Sequence, residues 1–162
     1  MLKFHAAHSA ADRAAALTVY QSNPAFFTQL KQPQPTARTV REDAEAYPDD
    51  VSETQKHYGL LLVNGDPIGV LDRLNGYPEP STVYIGLLMI RKDRQRQGLG
   101  RRTIDGLAKQ FRRQGYTKLR VAVAAENPAG LAFWQQIGFT PVGEGHAEAA
   151  VPVVILDRDL AD

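Results

Sequence analysis

The 162-residue chain contains no cysteine. That excludes disulfides, thiolate metal sites and a cysteine nucleophile. Its four histidines, His5, His8, His57 and His146, fall at no metal-ligand spacing, so no metal centre is expected. No apolar run is long enough to cross a bilayer, and Met1-Leu2-Lys3-Phe4-His5 leads into no apolar stretch of the secretory kind. A cytoplasmic protein that works away from membranes is the expectation. Net charge is also small, +1 at neutral pH, but it is unevenly spread. From Arg91 to Arg120 there are eleven Lys or Arg and two acids; from Thr39 to Ser81 there are nine acids and three bases. Either tract is explained by a solvated face. The functional alternative is a polyanion on the basic side and a cationic partner on the acidic side.

What is present in quantity is ordinary globular material, 43% hydrophobic and 23% charged, enough for one domain over residues 1–162 with a sizeable core. The informative stretch begins at an apolar run, Ile85 to Ile90. A basic loop follows, Arg91 to Gln97, then Gly98-Leu99-Gly100-Arg101-Arg102. Ile104, Leu107, Ala108 and Phe111 recur at helical spacing, so the order is strand, basic Gly-x-Gly loop, helix. A helix's first turn offers free N–H groups and the positive end of its dipole to an anion. Glycine lets the backbone approach closely, and Arg96, Arg101 and Arg102 would add charge-assisted hydrogen bonds.

The remaining elements follow from pattern and punctuation. Leu2 and Phe4 alternate with polar residues as a short strand. Ser9 caps a helix to about Gln21, Pro24 opens a short one, and Thr39-Val40-Arg41-Glu42 reads as a capping box for a third. Asn64-Gly65 turns a hairpin between strands at 58–63 and 67–74, and Thr82 to Ile90 is the next strand. A helix from about Gly98 to Gln114 leads to a strand at 118–123. Asn127-Pro128 caps a helix that ends near Gly138, and strands at 139–143 and 151–158 close the chain, with Glu144 to Glu148 between them. The result is an α/β domain with one mixed central sheet.

The Gly-x-Gly loop alone does not choose its ligand. A dinucleotide fingerprint lacks its third glycine at Thr103, and a P-loop lacks Lys-Ser/Thr after Gly100. Nucleic-acid binding would want aromatic residues among the bases, and none interleave there, so no nucleic-acid partner is expected. A plain helix-capping turn also fits. A second motif at a set distance adds to this. Gln95-x-x-Gly98-x-Gly100, with Ile90 eight residues before Gly98, resembles motif A of the GCN5-related N-acetyltransferase (GNAT) superfamily. Asn127-Pro-Ala-Gly-Leu-Ala132-Phe133-Trp134-Gln-Gln-Ile137-Gly138-Phe139 resembles its motif B. The resemblance is strong from about Thr82 to Val142.

The resemblance implies a GNAT fold with splayed central strands and acetyl-CoA as co-substrate. Gln95 would be among the cofactor-binding residues, and backbone N–H groups of Arg96, Gln97, Gly98, Leu99, Gly100 and Arg101 would hold the pyrophosphate. Leu88, Met89 and Ile90 would meet the pantetheine arm, with one N–H near Met89 as oxyanion donor. Asn127 and Trp134 would contact the cofactor arm. Gly86 marks a bulge or merely close packing. The implied reaction is direct acetyl transfer to a primary amine, a small molecule or a peptide, in a ternary complex. A non-catalytic acyl-CoA sensor or scaffold is the alternative. Many members have an acidic tyrosine where this chain has Trp134, and an indole cannot protonate a thiolate near neutral pH. Either the thiolate leaves unassisted, or water or another tyrosine, Tyr84 or the less well placed Tyr116, helps instead. For the base, Asp72 and Tyr84 come first because strands position groups well; Glu79, Glu126, Glu144, His146 and Glu148 remain candidates. Dimers are common in the family, so a homodimer is compatible with the chain, although no interface is legible in it.

Overall fold

The computed structural model describes residues 1–160. Chain order is β1 (Leu2–Ala6), α1 (Ala10–Gln21), α2 (Pro24–Gln29), α3 (Ala37–Glu45), β2 (Lys56–Val63), β3 (Asp66–Asn75), β4 (Thr82–Ile90), α4 (Leu99–Arg113), β5 (Lys118–Ala124), α5 (Pro128–Gln136), β6 (Thr140–His146) and β7 (Pro152–Asp159). The strands form one seven-stranded sheet in the order β1-β2-β3-β4-β5-β7-β6. Every neighbouring pair is antiparallel except β4–β5, which α4 joins in parallel. This is the expected mixed α/β sheet flanked by helices.

Local chemistry accounts for most boundaries. The Ser9 hydroxyl accepts the Asp12 N–H at 3.0 Å and starts α1. Asn64 and Gly65 both take positive φ, 51° and 82°, the pair that a tight hairpin turn requires. α3 differs from expectation. It begins at Ala37, because Thr36 is the cap and its N–H donates to the Thr39 hydroxyl at 3.0 Å. Thr39 therefore lies inside the first turn. β6 is also longer than expected, taking in Glu144, Gly145 and His146 and leaving only a short tip before β7.

Two apolar layers fix the sheet between helices. On one face Ile104, Leu107 and Phe111 of α4 and Trp134 of α5 pack on Leu71, Ile85, Leu119 and Leu156. On the other, Val19, Tyr20 and Val40 of α1 and α3 pack on Leu60, Val70 and Met89. Each such buried side chain contributes about 1.5–3 kcal/mol. Among the described residues no helix is long and apolar enough to cross a membrane.

Two irregularities in the centre of the sheet matter for function. β4 and β5 pair only from Thr82↔Lys118 to Ile85↔Val121; β4 then runs on to Ile90 and β5 to Ala124 without pairing, so the central strands splay. The β3–β4 register slips between Asp72↔Leu87 and Arg73↔Ile85, leaving Gly86 as the extra residue of a bulge. A Cβ at Gly86 would stand 3.0 Å from Asp72 Oδ2. Bulge and close approach coincide at this glycine, at the point where the strands part.

Candidate active site

The basic loop is held from three sides. The Arg91 guanidinium donates to both Asp66 oxygens at 3.0 and 3.1 Å and to Asp93 at 2.6 Å, and Arg94 reaches Asp66 at 3.2 Å. Hydrogen bonds from Arg91 hold the Asp66 carboxyl below its ordinary pKa. The Ser22 hydroxyl accepts the Lys92 N–H at 3.1 Å. Gln95 donates its amide to Asn23 Oδ1 at 2.7 Å and to the Ile90 carbonyl at 2.9 Å, and Asn23 donates to that same carbonyl at 3.1 Å. Thus Gln95, expected at the ligand, anchors the loop to the α1–α2 turn and to the end of β4.

Beyond these anchors the backbone is free. Arg96 and Gly98 both take positive φ, 61° and 76°. Such alternation turns successive N–H groups toward one side, making an anion-binding concavity at the start of α4. Among the described residues the N–H groups of residues 96 to 101 donate to no protein acceptor. Arg96 and Arg102 have no acidic partner there, and Arg101 only a 3.7 Å contact with Asp105. Phe133 closes the far side, because a Cβ at Gly100 would stand 3.0 Å from its ring. Backbone donors, unpaired cations and a side-chain-free approach suit a pyrophosphate.

The splayed gap leads away from this loop. Arg91 N–H donates to the Ile68 carbonyl at 2.7 Å. Strand alternation therefore turns Met89, paired with Val70, toward β3 as well, and leaves the N–H groups of Leu88 and Ile90 facing the gap. A donor near Met89 is thus its neighbour's; the Met89 side chain itself is buried against α1. On the gap's other bank, Asn127 Oδ1 accepts the Gly130 N–H at 2.9 Å and caps α5, and its Nδ2 donates to no described residue. Trp134 is 7% exposed, edge-on to Phe133 and Phe139 at 5.1 and 4.9 Å between ring centres. Its bulk belongs to the core. Among the described residues its indole N–H has no acceptor and is not one of the sealed unpartnered atoms.

A cavity of about 380 Å³ opens beside Gly86 on the α3 face of the sheet, lined by Asp43, Tyr47, Lys56, Asp72, Tyr77 and Tyr84 among others. Asp72 and Tyr84 were expected near the chemistry, and both line it. Glu79, Glu126, Glu144, His146 and Glu148 do not, although Glu148 comes close enough to act on Asp43. Tyr116 lies on the opposite face, edge-on to Phe111. Burial pushes the Asp72 carboxyl up to about 6, against the pull of Lys56. Its Oδ2 accepts from Lys56 Nζ at 2.8 Å, and its Oδ1 has no partner. Burial also raises the Tyr84 phenol, which favours its protonated form, able to donate a hydrogen bond. Asp43, Lys56 and Tyr77 were not singled out from sequence. Period-two alternation carries part of the signal: Lys56 with Tyr58, Asp72 with Leu74 and Tyr84 with Gly86 each share a face.

Known proteins share the family profile and the fold. The profile of the acetyltransferase (GNAT) family matches residues 14–139. The chain is 23% identical over 131 residues to the [ribosomal protein bS18]-alanine N-acetyltransferase of Salmonella typhimurium, covering 72% of this chain and 87% of that protein. An acetyltransferase from Thermus thermophilus superposes with a TM-score of 0.82 at 28% identity, over 98% of this chain and 97% of that one. The aminoglycoside acetyltransferase AAC(6')-Ib, solved with ribostamycin and coenzyme A, shares the fold with a TM-score of 0.74 at 16% identity, over 98% and 93%.

Proposed function

The chain belongs to the acetyltransferase (GNAT) family, and on that footing we propose that it moves an acetyl group from acetyl-CoA to a primary amine by direct attack, with both substrates bound together. One observation carries the reading. The unpaired gap between β4 and β5 and the carboxylate–tyrosine cavity meet at the Gly86 bulge. A donor lying in the gap from the basic loop would present its acyl end to the cavity.

Acetyl-CoA supplies the acyl group as an activated thioester. The unbonded N–H groups of residues 96 to 101, with Arg96, Arg101 and Arg102, hold its pyrophosphate. The Nδ2 of Asn127 and the indole N–H of Trp134 line the path of the arm. The gap-facing N–H of Leu88 donates to the carbonyl oxygen as charge gathers there; donors of this type are worth roughly 2.7–4 kcal/mol. A free amine of pKa about 10 arrives protonated. Asp43 and Asp72 draw it in, and Asp72 takes the proton that it must lose. Tyr84 donates to the departing sulfur, the task that Trp134 cannot perform. The relatives support an amine acceptor: one is named for a ribosomal-protein alanine, and another was solved with an aminoglycoside.

Coenzyme A release with a panel of peptide α-amines, diamines and aminoglycosides tests the reading. Turnover with a cationic amine is expected. Tyr84→Phe should lower kcat by about 100-fold and leave acetyl-CoA binding unchanged. Failure to bind acetyl-CoA at tens of micromolar overturns the proposal. Binding without turnover on any amine would identify an acyl-CoA-binding module instead.

A further inference from the structure

We propose that Lys56 is a positioning residue for acetyl transfer: its ammonium, pinned between α3 and β3, holds the Asp72 carboxylate at the cavity and sets that group's affinity for the acceptor's proton. The inference rests on the base role proposed above for Asp72. The Lys56 side chain is 9% exposed, unusual for a lysine, and it lines the acceptor cavity. Nζ donates to the Asp43 backbone carbonyl at 2.7 Å and to Asp72 Oδ2 at 2.8 Å. The first bond fixes the ammonium to the C-terminal half of α3; the second fixes the carboxylate to the ammonium. Among the described residues Asp72 has no other side-chain hydrogen-bond partner, and its Oδ1 is sealed and unpartnered. Its orientation therefore depends on Lys56. Gly86 makes the arrangement possible, because any side chain there would press on Oδ2.

The electrostatic surroundings make Lys56 the dominant local cation. Tyr58 lies beside it on β2; Asp43 faces Asp72 from α3, Tyr84 from β4, and Arg73 acts from the opposite face of β3. Tyr20 of α1 donates to Asp43 Oδ2 at 2.7 Å and bonds Tyr58 at 2.7 Å, while Glu42 and Glu148 stand near Asp43. Of the two cations, only Lys56 touches the Asp72 carboxylate. Removing it would leave Asp72 desolvated among other acids, and its protonated form would be favoured.

The test uses the full chain. The pH profile of kcat/KM for the amine should rise with a midpoint of about 6 in the unaltered protein, where Asp72 loses its proton. Lys56→Met should move the midpoint upward by more than one unit, at unchanged KM for acetyl-CoA, and Lys56→Arg should return it to within half a unit. A carboxyl-carbon NMR titration of Asp72 should follow the same shifts. An unmoved midpoint in Lys56→Met overturns the proposal, as does a Lys56→Arg protein that shifts as far as Lys56→Met. If Lys56→Met does not fold, Lys56→Gln, which keeps a neutral donor, must show the same upward shift. Asp72→Asn separates the two claims. A low-pH limb that survives that change removes Asp72 as the base, while the NMR titration still decides whether Lys56 controls the carboxyl.

Discussion

Replacing Gly98 by alanine, with Gly65→Ala as a matched partner, separates backbone strain from ligand contact. Both glycines sit in the left-handed region, at φ of 76° and 82°, and a Cβ at either would meet nothing within 4 Å. The conformational cost should be alike in each, about 1–2 kcal/mol for an L-residue held there. For a domain of this size each kcal/mol lowers Tm by about 2–4 °C, so both variants should melt about 2–8 °C early. Their effects on ligand binding should part. Gly65 turns the β2–β3 hairpin, whereas Gly98 lies within the row of unbonded N–H groups that starts α4. The added methyl would push a pyrophosphate off at least one charge-assisted hydrogen bond. At about 1.5–3 kcal/mol for such a bond, affinity for coenzyme A should fall about 10- to 150-fold. Isothermal titration on both proteins reads the affinity, and thermal unfolding reads the strain. Equal coenzyme A affinity in the two variants, at equal loss of Tm, would refute the anion-cradle reasoning.

Asp72 and Arg73, adjacent on β3 but on opposite faces, carry the other stability predictions. The folded pKa of Asp72 lies at about 6, above its ordinary 3.8. Protonated Asp72 is therefore favoured by the fold; its contribution is present below about pH 4 and lost as pH rises through about 6, about 3 kcal/mol in all. Relative to the unaltered protein, Asp72→Asn should gain about that amount between pH 4 and 7 in urea unfolding; a difference that stays flat across this window would contradict the assignment. Arg73 is 8% exposed, its Nε is sealed without a partner, and its guanidinium lies 4.9 and 5.4 Å from the Phe4 and Phe111 ring centres. Arg73→Met removes a poorly compensated buried charge at the loss of cation–π contacts, and should stabilise by about 1–2 kcal/mol. A loss of more than about 1 kcal/mol would show that an ordered water or ion completes that guanidinium.

The sequence was most readable where one local rule acted alone. Asn64-Gly65 set a hairpin because few other pairs accept positive φ twice. Asn127-Pro128 set the start of α5 because the cap and the preset φ agree. The spacing of Ile90, Gln95, Gly98 and Gly100 to Asn127 and Gly138 marked the family, whose profile matches residues 14–139. The start of α3 differs because Thr36 and Thr39 both offer a capping hydroxyl, and the Thr39 hydroxyl is used inside the first turn, where it accepts the Thr36 N–H.

Other features belong to the tertiary structure alone. Gly86 in an apolar strand announces an irregularity, but only the register against β3 shows that the extra residue falls opposite Asp72 and where β5 departs. Gln95 and Asn23 are 72 positions apart, and their bond appears once α1 packs on β4. The same holds for Lys56. In the sequence it is one of three bases in an acidic tract, as well suited to a solvated surface as to a site. Its burial beside Asp72, its bond to the end of α3 and the raised proton affinity of that carboxylate arise from desolvation, and desolvation is a property of three elements packed together. Local chemistry in the sequence thus sufficed for the loop proposed to take the donor, whereas the pocket proposed for the acceptor exists only where strands β2, β3 and β4 meet α3.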